Sequence, residues 1–177
     1  MSEKQMLVFD CETNGLLHDV SEIHCIAIYD NTKEETLVFN NQGDQSGPIT
    51  EALHWLSSAD VLVGHNVINY DLPVLRKIYS WFQPRADVID TLVLSRLYHP
   101  NMMDIDKRRN IQRMPLQLYG RHSLESYGYR LGEYKGDFGK TSDWKEWSQE
   151  MQDYCVQDVN VTTKLCDHFR KYLIGSY

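Results

Sequence analysis

The chain contains 177 residues, carries a formal net charge of −7 and is 42% hydrophobic. This length predicts one domain over residues 1–177, with enough apolar side chains to build a core. The composition excludes a disordered or fibrous chain, and the acidic balance excludes a protein that holds duplex DNA through a generally basic surface. Because no apolar run is long enough to span a membrane and no secretion signal opens the sequence, we expect a cytoplasmic protein without a membrane partner.

The regular elements alternate along the chain in a pattern typical of α/β proteins. Three short β-rich runs, at residues 6–11, 23–29 and 36–39, predict a three-stranded meander. After a helix that starts near Pro48, the predicted elements are a buried strand at 61–64, a helix at 72–79, a strand at 88–89, helices at 91–97 and 123–131, and one or two helices at 143–173. We therefore expect a mixed sheet, the meander plus parallel strands, flanked by helices.

Residues 101–120 lack apolar periodicity and predict a surface excursion without regular structure. This is the clearly basic part of the chain, with Lys107, Arg108, Arg109, Arg113 and the adjacent Arg121. Two interpretations remain open. The excursion follows the phosphates of a nucleic-acid strand, or it is solvated or contacts a partner protein.

Asp10 and Glu12 end the first predicted strand, and the strand period places both side chains on one face. Like charges side by side destabilise a fold unless a positive charge lies between them. A third acid, Asp158, falls inside the apolar stripe of the last predicted helix, with Tyr154 one turn before it. Buried carboxylates are rare unless they are paired, hydrogen-bonded or metal-bound. The alternatives are a solvent-exposed strand end for the first two acids and a helix cap for Asp158.

Asp71 follows the buried strand at 61–64 and a polar turn, at the start of a predicted helix, where an acid also satisfies backbone donors. Functional groups in α/β sheets gather at the carboxyl ends of central parallel strands. We therefore expect Asp71 to converge with the other three carboxylates. Four acids without a lysine beside them predict Mg²⁺ or Mn²⁺ bound through oxygen.

The order of these residues resembles the three motifs of the DEDD family of 3′→5′ exonucleases. The motifs are Asp10-Cys11-Glu12 with residues 13–16, Asn66 with Tyr70-Asp71, and Tyr154-x-x-x-Asp158. A tyrosine four residues before the last aspartate is similar to the tyrosine subclass. Outside the motifs, residues 89–97 and 122–136 look like the proofreading exonuclease domain of the family-A DNA polymerases of T-seven-like bacteriophages.

This resemblance implies a ribonuclease-H-like fold, two bound ions of Mg²⁺ or Mn²⁺, and hydrolysis of the terminal phosphodiester of single-stranded DNA into nucleoside 5′-monophosphates. By the family pattern, Asp10 bridges both ions, Glu12 and Asp158 complete the site of the ion that activates water, and Asp71 holds the other. Tyr154 orients the attacking water. The implied partners are a DNA 3′ end and a separate DNA polymerase, in the cytoplasm of a phage host.

The resemblance also implies that the backbone of Thr13 and the side chain of Leu16 meet the terminal nucleotide, and that His65 and Asn66 contact its phosphate. A core position for Leu16 and hydrogen-bonded structural roles for His65 and Asn66 remain open.

The same residues are compatible with two other functions. An oligoribonuclease-like RNA exonuclease has the same motifs, because recognition of the 2′-hydroxyl depends on local geometry. A non-catalytic, polymerase-accessory nucleic-acid-binding module predicts a lost carboxylate, whereas all four acids are present. We expect Trp144 and Trp147 to pack against the core rather than to stack on bases.

Overall fold

The computed structural model describes residues 3–134 and 143–173, so residues 135 and 136 of the family-like run lie outside it. Within these residues, five strands form one sheet in the order β3-β2-β1-β4-β5. The strands are β1 (Met6–Thr13), β2 (Ile23–Asp30), β3 (Glu35–Asn40), β4 (Val61–Gly64) and β5 (Asp87–Asp90). The first three pair antiparallel, whereas β4 and β5 run parallel to β1. The predicted mixed sheet is confirmed.

The helices are α1 (Ile49–Ser58), α2 (Asp71–Ile78), α3 (Thr91–Tyr98), α4 (Met102–Arg109), α5 (Leu124–Leu131) and α6 (Gln149–Phe169), with short 3₁₀ turns at Leu116–Leu118 and Arg170–Tyr172. Serine side chains mark two of the starts. Ser123 accepts a hydrogen bond from the Ser126 amide before α5, and Ser148 accepts one from the Met151 amide before α6. None of the helices described is both long and apolar enough to cross a membrane.

The prediction that residues 101–120 form an excursion without regular structure is wrong, because α4 occupies part of this segment. Its buried residues are Met102 and Asp106, so it shows no apolar stripe. A polar contact holds it instead: the Arg130 guanidinium on α5 donates to both carboxylate oxygens of Asp106, at 2.8 and 2.7 Å. Periodicity of apolar residues cannot reveal a helix that is anchored by a buried ion pair.

The two faces of the sheet pack against different helices, because successive residues of β1 point to opposite sides. Leu7 and Phe9 join the apolar cluster on the side of α1 and α2. Met6 and Val8 join the cluster that includes Cys155 of α6. By the same alternation, Asp10 and Glu12 lie on the face that α6 covers.

Candidate active site

The acids of β1 form a tight group with one residue of α6. One ligand-type atom from each of Asp10, Glu12 and Cys155 lies within 4.8 Å of the other two. The parallel pairing of β1 with β4 stops at Val8, so both acids extend beyond it. The antiparallel pairing with β2 shifts register between Glu12 and Thr13. Such bulges re-aim side chains and are common next to active sites.

Glu12 and Asp158 are both buried, and the charge of Asp158 acts on Glu12. They are only 7% and 6% exposed. Burial raises the pKa of Glu12 well above its usual value, and the charges of Asp10 and Asp158 raise it further. A divalent cation among these oxygens would remove the repulsion, and carboxylates are the ligands that Mg²⁺ and Mn²⁺ prefer. The donor set therefore fits such an ion.

Asp71 approaches β1 from the side of the sheet that carries α2. Its Oδ1 accepts a hydrogen bond from the Cys11 amide at 3.2 Å. Burial nevertheless raises the pKa of Asp71 to about 7. The structure thus brings Asp10, Glu12 and Asp158 into electrostatic contact and places Asp71 next to them, behind the backbone of Cys11.

Cys155 was not identified from the sequence, and it acts as a hydrogen-bond donor in this group. Its Sγ lies 3.4 Å from the backbone oxygen of Asp10 and 3.5 Å from its Oδ2. Burial raises the pKa of the Cys155 thiol well above its usual value, and only the thiolate is a good metal ligand. Its place in the apolar stripe of α6 gives no signal for this role, since cysteine is a common core residue.

A cleft of about 390 Å³ opens beside the carboxylates. Its lining includes Glu12, Thr13, Leu16, Tyr70 and Trp144. Leu16 is 67% exposed, which excludes the core alternative for this residue. The cleft is therefore acidic at one end and apolar along its walls.

The two tryptophans before α6 have different environments. Trp147 packs against the core cluster on the α6 side, as predicted. Trp144 also lines the cleft, which the sequence did not reveal, and whether it packs or stacks on bases stays a prediction. Its carbonyl oxygen accepts a hydrogen bond from Nε2 of His24 at 2.9 Å, and its ring packs edge-on against Tyr154, with ring centres 6.4 Å apart. Trp144 thus connects the cleft wall to Tyr154.

The turn after β1 is held by a network of hydroxyl groups. Tyr70 donates from its hydroxyl to the Gly15 carbonyl oxygen at 2.6 Å and lies 2.5 Å from Oγ1 of Thr13. These bonds join the turn after β1 to the turn before α2. The wall that carries Leu16 is thereby fixed in position before any ligand binds.

His65 and Asn66 occupy the turn that follows β4. The ring nitrogens of His65 lie 2.8 Å from Oγ1 of Thr91 and 2.9 Å from the carbonyl oxygen of His122. This geometry favours the structural interpretation of His65. Asn66 has a positive φ of 65°, and its amide donates to Asp90. Contacts of either residue with substrate stay predictions.

Asp90 is a further acid whose role was not identified from the sequence. Its carboxylate accepts hydrogen bonds from the backbone amides of Asn66 at 2.9 Å, Ile68 at 3.1 Å and Leu92 at 3.0 Å. It therefore caps α3 and anchors the turn that leads to Asp71. The sequence offered one signal for Asp90, an acid directly before a predicted helix. This signal indicates the helix cap but not the contact with the turn.

Known proteins support this assignment of the fold. A model of the RNase_H superfamily matches residues 7–170. The DNA-directed DNA polymerases of Escherichia phage T7 and Enterobacteria phage T3 are each 36% identical to this chain over 92% of its length, and the chain spans 26% of the length of each. The predicted resemblance to T-seven-like polymerases is therefore confirmed.

Solved structures show the same architecture. A protein described as the apo form of the nuclease has a TM-score of 0.64 at 20% identity, over 96% of this chain and 73% of its own. Brucella melitensis NrnC has a TM-score of 0.61 at 21% identity, over 94% of this chain and 72% of its own. At this level of identity the likeness concerns the fold, and together with the family match it confirms the predicted ribonuclease-H-like sheet. The chain belongs to the RNase H superfamily.

Proposed function

We propose that the protein is a metal-dependent 3′→5′ exonuclease that hydrolyses the terminal phosphodiester of single-stranded DNA and releases nucleoside 5′-monophosphates. The observation that carries this proposal is the close approach of Asp10 and Glu12, with the charge of Asp158 acting on the buried Glu12, beside an open cleft that Glu12 lines. Such a group is costly to the fold and binds divalent cations. The identity with phage DNA polymerases supports DNA as the substrate.

The carboxylates supply oxygen ligands for two ions of Mg²⁺ or Mn²⁺. Asp10, Glu12 and Asp158 would hold one, and Asp71, sharing Asp10, would hold the second. When bound, such a pair activates a water and stabilises the leaving 3′ oxygen. Brucella melitensis NrnC has been solved with bound Mg²⁺, which agrees with this assignment.

The remaining residues bind and orient the substrate. Tyr154 positions the attacking water through its hydroxyl, one helical turn before Asp158. Leu16 and Trp144 are far apart in the sequence, but both line the cleft, where they present apolar surface to the terminal base. Thr13 and Tyr70 keep that cleft wall in place through their hydroxyl contact.

The proposal is tested by a time course on 5′-labelled single-stranded DNA, matched RNA and a mismatched primer-template, with Mg²⁺, Mn²⁺ or EDTA. We expect products that shorten from the 3′ end, and no cleavage in EDTA. Asp153→Asn is a matched control, because Asp153 is an exposed acid next to Tyr154. This variant should keep the wild-type rate. Immediate release of the labelled 5′ nucleotide, or cleavage of circular single strands, would refute the proposal.

A second candidate is an RNA exonuclease that acts on short oligonucleotides. It is favoured by the fold likeness to Brucella melitensis NrnC, which has been solved bound to pGG. Faster cleavage of RNA dinucleotides than of matched DNA would support it. Absence of cleavage in every arm would instead support a polymerase-accessory binding module.

A further inference from the structure

A second cavity, of about 300 Å³, lies among α3, α4, α5 and α6. Four basic side chains line it, His99, Arg109, Arg130 and His168, and apolar walls come from Met102 and Ile105. We call it the basic cavity. His168 follows Asp158 on α6 by ten residues, which corresponds to about 15 Å along the helix axis. The basic cavity is therefore separate from the carboxylate group.

Cations dominate the charge around the two histidines. Their Nε2 atoms lie 2.9 Å apart. Burial lowers the pKa of His99, as do the charges of Lys171 and Arg130. Burial also lowers the pKa of His168, together with the charges of His99, Lys171 and Arg109. Asp106 balances the charge of Arg130, so the excess positive charge beside the histidines comes from Arg109 and Lys171.

One buried hydrogen-bond donor of the Arg130 side chain has no acceptor among the residues that the structure describes. Its side chain is almost fully buried, and its Nε and one terminal nitrogen donate to Asp106. The other terminal nitrogen, Nη1, is buried and has no hydrogen-bond partner within residues 3–134 and 143–173. Leaving a buried donor without an acceptor costs about 1–3 kcal/mol. An oxygen-rich ligand would satisfy it.

Arg109 is held beside the same cavity. It donates a hydrogen bond to the Arg130 carbonyl oxygen at 3.2 Å. This contact holds the Arg109 guanidinium against the backbone of α5 beside the basic cavity, which reduces the entropy that a ligand must otherwise overcome. Two guanidinium groups and a histidine pair form a donor set that matches the several oxygens of a phosphate group.

We propose that the basic cavity binds a phosphate group, either that of free phosphate or the 5′-phosphate of a mononucleotide. The volume lies at the lower end of the range for small-ligand sites, which is about 300–1,000 Å³. Arg109, Arg130 and the histidine pair contact the phosphate oxygens. Met102 and Ile105 provide an apolar surface against which a sugar or base packs. The site uses none of the carboxylates and needs no metal.

Calorimetry on the whole chain in EDTA tests this site independently of cleavage. The ligands are inorganic phosphate, deoxyadenosine 5′-monophosphate and deoxyadenosine. We expect the two phosphate ligands to bind at one site and deoxyadenosine not to bind. Binding of the nucleotide at least tenfold more tightly than phosphate would assign the site to mononucleotides, and equal affinities would assign it to the phosphate group alone. Absence of binding by both phosphate ligands would overturn the proposal.

Variants and histidine spectra locate the binding. Arg109→Gln and His168→Gln change exposed residues, so we expect them to fold and to lose at least tenfold in phosphate affinity. Arg76→Gln, which changes an exposed arginine of α2 that does not line the basic cavity, is the matched control and should keep the wild-type phosphate affinity. In nitrogen-15 spectra, phosphate should shift the signals of His99 and His168 and leave that of His54 unchanged. Equal loss of affinity in all three variants, or unchanged His99 and His168 signals, would overturn the site.

Discussion

Glu12 of the candidate active site and Asp106 of the Asp106–Arg130 pair are both buried, and their pKa values move in opposite directions. Burial raises the pKa of Asp106, but the hydrogen bonds and charge of Arg130 and the amide of Gly120 outweigh it and hold the pKa below its usual value. For Glu12, burial and the neighbouring acids all raise the pKa. A buried acid beside a guanidinium serves the fold, whereas a buried acid beside other acids lacks its counter-ion.

The carboxylates of Asp106 and Glu12 also differ in what they contact. The Asp106 carboxylate holds α4 against α5 through Arg130 and contacts Gly120 at 2.9 Å. The Glu12 carboxylate instead faces a cleft that is open to a substrate. The Asp106 carboxylate has its counter-ion within the protein, whereas the Glu12 carboxylate would gain one from the divalent cation that we propose.

Replacing one of the clustered acids Asp10, Glu12 and Asp158 should have the largest effect on activity. Asp10→Asn removes one of the proposed metal ligands, and we expect cleavage to slow by about 10³-fold or more, because metal binding supplies several kcal/mol to the transition state. The free energy of unfolding should stay unchanged or increase, since one repulsive charge is gone. Initial rates on 5′-labelled DNA and urea unfolding measure both. A folded variant with a near-wild-type rate would contradict the site.

Breaking the Asp106–Arg130 ion pair should have the opposite effect, a large loss of stability with little change in activity. Arg130→Met leaves Asp106 buried without its guanidinium, and we expect a loss of about 3–5 kcal/mol in the free energy of unfolding. The double variant with Asp106→Asn should recover part of this loss. Cleavage by the folded fraction should change little, because the pair does not contact the cleft. A loss below about 1 kcal/mol in urea unfolding would show that the pair is not structural.

Removing the hydroxyl of Tyr154 should have a smaller effect on activity. Tyr154→Phe leaves the carboxylates in place and disturbs only the position of the water, so we expect a fall of about tenfold to a hundredfold in kcat. The affinity for Mg²⁺, measured by calorimetry, should not change. A loss as complete as that of Asp10→Asn would show that the tyrosine has a larger role.

The raised pKa values predict how stability depends on pH. Asp71, with a pKa of about 7, and Glu12 bind protons more tightly in the folded state than in the unfolded state. In EDTA, stability should therefore fall as the pH rises from about 4 through 7. Mg²⁺ binds the ionised form, so the increase in Tm that it causes should grow over the same range. Thermal melts with and without Mg²⁺ measure this, and an increase independent of pH would contradict it.

The smallest expected effect concerns the basic segment. Arg108 and Arg113 are exposed, and the double variant Arg108→Gln, Arg113→Gln removes two charges. If the segment follows a single strand, the slope of log affinity against log salt should flatten by about 1.4, at about 0.7 for each charge. Cleavage of a dinucleotide should stay unchanged. Equal binding by wild type and variant would leave the solvated or protein-contacting interpretation.

Local patterns predicted most of the sheet and the acids of the site. Strand and helix periodicities depend on near neighbours, so β1 was identified from its first residue and α6 was found within the predicted region 143–173, although its ends were not. Asp10 and Asp158 stood out because a carboxylate within an apolar run is costly wherever the chain folds. The helix α4 was missed, since its burial depends on Asp106 meeting an arginine of another helix.

The sequence by itself determined which groups are the candidates for the chemistry, because the residue types and their spacing limit what a strand or a helix presents on one face. Only the tertiary structure decided which groups touch. Cys155 meets Asp10 across 145 residues, and Trp144 reaches the cleft through a hydrogen bond with His24 across 120 residues. Such contacts depend on how the helices pack on the sheet, and side-chain packing over that separation has no local signal in the chain.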